Sequence, residues 1–193
     1  MRLAIFGGTF DPIHRAHLAI AREAVERCGL DRVLLVPAAN PPHKSTLTHA
    51  PYEDRVRMAE IACHGIDRVE VSRLEEGTTC SYSIDTIEKV RAALTAGDQL
   101  LFVIGADAFA EIRTWHRWRD VAQAVVFVIV SRPGAVYYVP EGAQVVRLDR
   151  LDLAISSSDI RRQLAAGRRP QEVPAPVMEY IEAHRLYGTG PAA

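Results

Sequence analysis

The amino-acid sequence predicts an α/β fold: a doubly wound parallel sheet with a small C-terminal helical part. Two observations carry this. Short apolar runs alternate with segments of helical periodicity over most of the chain, the pattern that successive βαβ units leave in a sequence. One of those runs, Val125-Val126-Phe127-Val128-Ile129-Val130, is continuously apolar, as required of a central parallel strand that helices cover on both faces. At 193 residues, 48% of them apolar, the chain can fill one buried core. A single domain is therefore expected over residues 1–193, with the helical part beginning near residue 156.

Taken in order, Leu3-Ala4-Ile5-Phe6 reads as the first strand, broken by Gly7-Gly8. A helical pattern follows, apolar at Leu18, Ile20, Ala21 and Val25 and polar at Arg22, Glu23 and Glu26, with Gly29 as its stop signal. Arg32 to Pro37 is a β-branched and leucine-rich strand that feeds a long loop through Asn40-Pro41-Pro42-His43-Lys44. The pattern then repeats: a helix around Tyr52 to Cys63, a strand around Val69 to Ser72, a helix from Ser83 to Thr95, and a strand at Leu100 to Ile104 closed by Gly105-Ala106-Asp107. Arg132-Pro133-Gly134 ends the long apolar run, and a weaker strand is expected at Val145 to Leu148. Clustered side chains at Ser156-Ser157-Ser158-Asp159 suit a helix N-cap. Helices near Ser158 to Ala166 and Pro176 to His184 complete the fold, and Gly188 to Ala193 is expected to fray.

Acidic and basic residues nearly cancel, to a formal net charge of -1, which points away from nucleic acid and membrane surfaces as partners. Cys28, Cys63 and Cys80 are odd in number and far apart, fitting neither a disulfide framework nor a thiolate metal site. A cytoplasmic protein is expected, since no signal peptide or membrane span is indicated. Oligomeric state stays open, a homodimer included.

Ligands of open α/β sheets gather beyond the carboxyl ends of the strands, so the loops after Phe6, Val36 and Ile104 should share one crevice. Gly7-Gly8 lets backbone approach a phosphate, Thr9 adds a hydroxyl, and the next helix start offers free N–H groups and a partial positive charge. A Gly-Gly pair alone equally suits a plain tight turn. His14 and His17, three residues apart at the helix opening, should project from one face. They could be a metal pair, a general acid and base, clamps on phosphoryl charge, or loop caps bonded to backbone. The metal reading is the weakest, for want of a third ligand at a diagnostic spacing, and no metal-ligating residue is expected. A second anion clamp is expected at Ser156 and Ser157, with Arg161 one turn into the helix, although ordinary capping would explain the same residues.

The segment Gly7-Gly8-Thr9-Phe10-Asp11-Pro12-Ile13-His14-Arg15-Ala16-His17 resembles the signature of the class I nucleotidyltransferase superfamily, with Ala16 where that pattern usually has glycine. Ile155-Ser156-Ser157-Ser158-Asp159-Ile160-Arg161 resembles the superfamily's carboxy-terminal motif, Ser158 replacing threonine. Pro41-Pro42-His43-Lys44, Ser81-Tyr82-Ser83-Ile84-Asp85-Thr86, and Gly105-Ala106-Asp107 followed by Trp115 narrow the resemblance to the nicotinate-mononucleotide adenylyltransferase family over nearly the whole chain.

That resemblance implies a Rossmann-like nucleotidyltransferase fold, with ATP and nicotinate mononucleotide as partners and Mg2+ accompanying the ATP. It implies ATP contacts at Gly7, Gly8, Thr9, Phe10, His14, His17, Gly105, Asp107, Ser156, Ser157 and Arg161. Of these, Asp107 would meet the adenosine ribose, and His14, His17 and Arg161 would be the catalytic donors. Trp115 would stack on the pyridine ring, backbone amides near Ser83 and His116 would receive its carboxylate, and Asn40 and Lys44 would hold the mononucleotide. The alternatives are the same chemistry on another phosphorylated acceptor such as phosphopantetheine, a nucleotide sensor without turnover, and, more weakly, a metal-binding module.

Overall fold

Six parallel strands in the order β3-β2-β1-β4-β5-β6 form the centre of the computed structural model, which describes residues 1–41, 49–131, 136–149 and 155–189. The strands are β1 (Arg2–Gly8), β2 (Arg32–Pro37), β3 (Val69–Val71), β4 (Gln99–Gly105), β5 (Val126–Ser131) and β6 (Gln144–Asp149). Seven helices accompany them among the described residues: α1 (Arg15–Cys28), α2 (Tyr52–Cys63), α3 (Ser83–Arg91), α4 (Ala106–Ala110), α5 (Trp118–Ala124), α6 (Ser157–Ala165) and α7 (Ala175–Ala183). This is the Rossmann-like, doubly wound arrangement that the alternating pattern predicts, with its order reversing at β1 and β4.

Alternation along each strand sorts the core into two layers. Ala4, Phe6, Val33, Leu35, Leu101 and Val103 face one side, where Leu18, Ala21, Met58, Ile160 and Ile181 of α1, α2, α6 and α7 cover them. Leu3, Ile5, Leu34, Phe102, Ile104 and Phe127 face the other, under Ile84, Phe109 and Val121 of α3, α4 and α5. A period-2 strand buried on both faces has no polar face to show, which is why these runs read as continuously apolar.

Local chemistry sets the ends. Gly29 takes the left-handed conformation (φ 57°) at the end of α1, a geometry that glycine adopts without steric cost. Ser156 caps α6, its Oγ accepting from the Asp159 N–H at 3.1 Å. The third helix stops at Arg91 instead of Thr95: Ala93 and Leu94 bond back to Val90 and Arg91 in a tighter turn, and Asp98 accepts from both the N–H and the hydroxyl of Thr95 at 2.8 Å. Helices α4 and α5 are absent from the sequence reading, because Thr114-Trp115-His116 interrupts the apolar period before either half completes it. Of the segment expected to fray, Gly188 and Thr189 are held in place, the Thr189 hydroxyl bonding the carbonyls of Leu186 and Ile181, and residues 190–193 lie outside the described residues. Pro42-His43-Lys44 and Arg132-Pro133-Gly134 lie outside the described residues.

Phe127 is fully buried in β5, its ring meeting those of Phe102 and Phe109 edge-on at 6.3 and 5.0 Å. Phe127→Ala is expected to cost about 3–5 kcal/mol of stability in urea unfolding, from lost transfer energy plus the cavity left behind. A cost under about 1 kcal/mol would show that this layer collapses around the gap.

Candidate active site

A cleft of about 390 Å³ opens at the carboxyl ends of the central strands, lined by Gly7, Gly8 and Thr9 beyond β1, by Val36 and Ala38 at β2, and by Ile104 and Gly105 at β4. Parallel pairing puts these ends side by side: Gly7 pairs with Val36, Gly8 with Pro37, and Phe6 with Val103. The connections from β1 and β4 leave on opposite faces of the sheet, so the space between them stays open. A Cβ at Gly8 would sit 3.1 Å from the buried Phe10 ring, so a side chain there would need the ring to give by a few tenths of an ångström. Phe10 itself is buried, with φ at 47°, and its ring meets Phe6 and His17 edge-on at 5.6 and 5.0 Å. Its side chain therefore supports the loop from behind and turns away from the cleft.

The two histidines at the start of α1 stack, with ring centroids 3.7 Å apart. His17 Nδ1 accepts from the backbone N–H of His14 at 3.2 Å. That bond leaves the proton of a neutral His17 ring on Nε2, where it can be donated. His14 is only 4% exposed, and burial pushes its pKa down to about 4. The imidazole is thus neutral at pH 7, and its Nδ1 has no hydrogen-bond partner among the described residues.

The carboxy-terminal motif reaches the same loop. Arg161 donates to the carbonyl of Asp11 at 2.7 Å and to the Ser158 hydroxyl at 3.2 Å, and Ser157 donates to the carbonyl of Pro12 at 3.1 Å. Ser156 is occupied with Asp159 as the helix cap. Ser157 and Arg161 therefore serve first to fasten α6 onto the signature loop, while the Ser156 hydroxyl caps its own helix. What remains for an anion is the N–H end of the helix and the other guanidinium donors.

On the opposite wall, Trp115 meets Phe102 edge-on at 6.0 Å, and the rings of His116 and Tyr82 lie 4.4 Å apart. These four, with Ser83 at the start of α3, line the cleft. Arg117 takes a left-handed conformation (φ 50°) and donates to Asp120 at 2.7 Å and Glu88 at 2.8 Å, which ties the Trp115-His116 turn to α3. Asn40 lies at the rim with its amide turned to the carbonyl of Thr78 (2.7 Å), while its backbone N–H meets the Ser81 hydroxyl at 2.9 Å. It carries the Ser81-Tyr82-Ser83 segment to the cleft, and its side chain points away. Asp107 is exposed in the first turn of α4, just past the end of β4. Ala16 is buried in the first turn of α1, so its methyl group packs inside. Lys44 lies outside the described residues.

Four residues in or under this site are absent from the sequence reading of it. Glu75 lines the cleft and accepts from the Thr86 hydroxyl at 2.8 Å and the Ala39 N–H at 3.3 Å. Arg55 and Tyr187 lie beneath the signature loop and bond to its Thr9 and Asp11. The signal for Arg55 was a charge on the apolar stripe of α2 with Met58, Ala59 and Ala62, where a solvated arginine has no place. Among the described residues no three His, Cys, Asp or Glu side chains come together to hold a metal. No helix among them is long and apolar enough to cross a membrane.

A glycine-lined strand end, two histidines on a helix start and a second motif bonded to the same loop make up the site. The model of the cytidylyltransferase-like family matches residues 5–163. A protein of Solibacter usitatus named "probable nicotinate-nucleotide adenylyltransferase" is 66% identical over 97% of this chain and 100% of its own length, and one of Exiguobacterium sibiricum with the same name is 41% identical over 98% and 100%. The nicotinic acid mononucleotide adenylyltransferase of Plasmodium falciparum, solved in complex with NaAD, superposes with a TM-score of 0.79 at 19% identity, covering 99% of each chain. The chain belongs to the nicotinate-nucleotide adenylyltransferase family.

The buried His14 makes stability depend on pH. Its folded pKa, about 4, lies below its ordinary value of 6.5, so the unfolded state binds the proton more readily and protonation favours unfolding. The contribution is complete above about pH 6.5 and is lost as pH falls toward 4, by up to about 3 kcal/mol. Denaturation midpoints at pH 7 and 4.5 should therefore differ less in His14→Asn than in the wild type. Equal slopes would mean that His14 does not titrate in this range.

Proposed function

We propose that the chain transfers the adenylyl group of ATP to nicotinate mononucleotide, giving deamido-NAD and pyrophosphate. One observation carries this reading: Gly7, Gly8 and Thr9 of the signature loop and the aromatic wall of Tyr82, Trp115 and His116 line a single cleft, with the stacked His14 and His17 at the start of the helix that follows the loop. The names of the relatives support the same acceptor. Backbone at Gly7, Gly8, Thr9 and Phe10 cradles the triphosphate, with the α6 N-terminus at Ser156 and Ser157 closing over it. Gly105 and Asp107 take the adenosine side. Trp115 stacks on the pyridine ring, the amides near Ser83 and His116 receive its carboxylate, and Asn40 and Lys44 border the mononucleotide.

An oxygen of the mononucleotide phosphate attacks the α-phosphorus of ATP. As that P–O bond forms, the bond to the β-phosphate breaks, and its electron pair leaves with pyrophosphate. No side chain is needed as nucleophile; catalysis rests on holding the two phosphates in line and meeting the charge that develops. His17 donates from Nε2, Arg161 from its guanidinium, and the buried His14 adds an unpartnered ring nitrogen that the phosphates would satisfy. With no acidic cage among the described residues, Mg2+ would sit on the phosphate oxygens themselves, where it supplies charge neutralisation. The whole of residues 1–193 acts as one domain in this reading. Three unpaired cysteines suit a reducing cytoplasm.

Pyrophosphate release is measured with purified protein, ATP and either nicotinate mononucleotide or phosphopantetheine. Release with the former alone is expected. Release with the latter alone would move the chain to another acceptor, and tight ATP binding without release would make it a sensor. His17→Ala is expected to lower kcat by about a hundred- to a thousandfold, as for other preorganised donors, with an unchanged fold. Near-normal turnover would remove His17 from the mechanism.

A further inference from the structure

Arg55 and Asp11 line no part of the cleft, yet they join its two halves. Arg55 is fully buried. Its Nη1 donates to the carbonyls of Thr9 (2.8 Å) and Ala38 (2.7 Å), and its Nε to the carbonyl of Ala50 (3.2 Å). Asp11, 3% exposed, accepts from the N–H groups of His49 (2.7 Å) and Ala50 (3.1 Å) and from the Tyr187 hydroxyl (2.7 Å). The Ala50 peptide therefore lies between the two charges, its N–H given to the anion and its carbonyl taken by the cation. Thr9 belongs to the signature loop, whereas Ala38 lines the cleft just past β2, two residues before Asn40, whose N–H bonds the Ser81 hydroxyl beside the acceptor wall, and Ala50 precedes α2. Arg161, bonded to the Asp11 carbonyl, brings the second clamp to the same point.

The tail that delivers Tyr187 is strained. Arg185 and Tyr187 both hold left-handed backbone, at φ 52° and 57°, which residues bearing a Cβ adopt only where their surroundings hold them there. The phenol is the group so held, and burial together with the Asp11 carboxylate raises its pKa well above the ordinary tyrosine range, so it stays a donor. With Nη2 of Arg55 already buried and without a partner among the described residues, the three carbonyls on its Nε and Nη1 and the three donors on Asp11 cannot be given up without leaving further polar groups buried and unpaired.

We propose that Arg55, Asp11 and Tyr187 are positioning residues that hold the ATP loop and the acceptor side of the cleft in one register. This rests on the adenylyl-transfer reading. Each substrate touches mainly its own half, so a relative shift of the halves leaves either affinity nearly unchanged. In-line attack, by contrast, needs the acceptor oxygen close to the α-phosphorus, and a misplacement on the order of 1 Å costs up to about a hundredfold in rate. The residues should therefore act on kcat and spare KM.

Tyr187→Phe removes the hydroxyl and keeps the ring. Steady-state rates of pyrophosphate release are measured with each substrate varied at saturation of the other, together with the affinity for a nonhydrolysable ATP analogue alone. The expected result is a fall in kcat of about tenfold, the worth of one hydrogen bond to a charged group, with both KM values and the analogue affinity within about twofold of wild type. Arg55→Lys, which replaces the fork by a point charge, should show the same split more strongly if it folds. A Tyr187→Phe enzyme with wild-type kcat, even at a lower Tm, would overturn the proposal, as would a rise in one KM at constant kcat. Wild-type release with nicotinate mononucleotide, or failing that with phosphopantetheine, sets the baseline. Absence of both overturns the transfer reading and this inference with it, whereas wild-type release beside an unaffected variant overturns this inference alone.

Discussion

The reversal of strand order between β1 and β4 is the constraint on which the rest of this molecule depends. A right-handed crossover leaving β1 must pass over one face and one leaving β4 over the other, so nothing covers the strand ends between them. The signature loop and the aromatic wall meet at that gap. Gly7, Gly8 and Thr9 lie there because β1 ends there, and Trp115 and His116 because the connection from β4 must turn back before β5. The sheet contributes no reactive group of its own; it contributes the alignment.

Charge is placed beneath this gap with unusual economy. Two charged side chains, Arg55 and Asp11, are buried under the signature loop, Arg55 donating to the carbonyls of Thr9, Ala38 and Ala50 and Asp11 accepting from the N–H groups of His49 and Ala50 and the Tyr187 hydroxyl, so that both bond to residue Ala50. Burial pulls the pKa of Arg55 down while the Asp11 charge pushes it back up. Directly above, burial keeps His14 neutral, so the stacked pair of rings carries no repulsion of two cations. A polyanion entering the cleft would reverse that balance by favouring the protonated ring.

Much of the fold was legible in the sequence, because a strand buried on both faces and a helix buried on one leave different periods. The strand at Val126–Ser131 and the helix at Tyr52–Cys63 could be read to within a residue or two. Helices α4 and α5 could not, since each is too short to complete an apolar period on its own. In the site, the placement of the glycines at the strand end, of the histidine pair at the helix start and of Ser156 as a cap could be read because it depends on local sequence alone. Phe10 and Asn40 were named for the right neighbourhood, but their side chains serve the scaffold, Phe10 behind the loop and Asn40 on Thr78.

What the sequence by itself determined is thus whatever depends on neighbours a few residues away: the alternation of elements, the glycine pair that ends the first strand, the caps, and two histidines on one helical face. What only the tertiary structure decided is the meeting of distant groups. Tyr187 reaches Asp11, Arg161 reaches the same loop, and Arg55 holds both Thr9 and Ala38. None of these pairings has a period or a spacing to betray it. They arise because a buried charge must find its partners wherever the fold brings polar groups within hydrogen-bond reach.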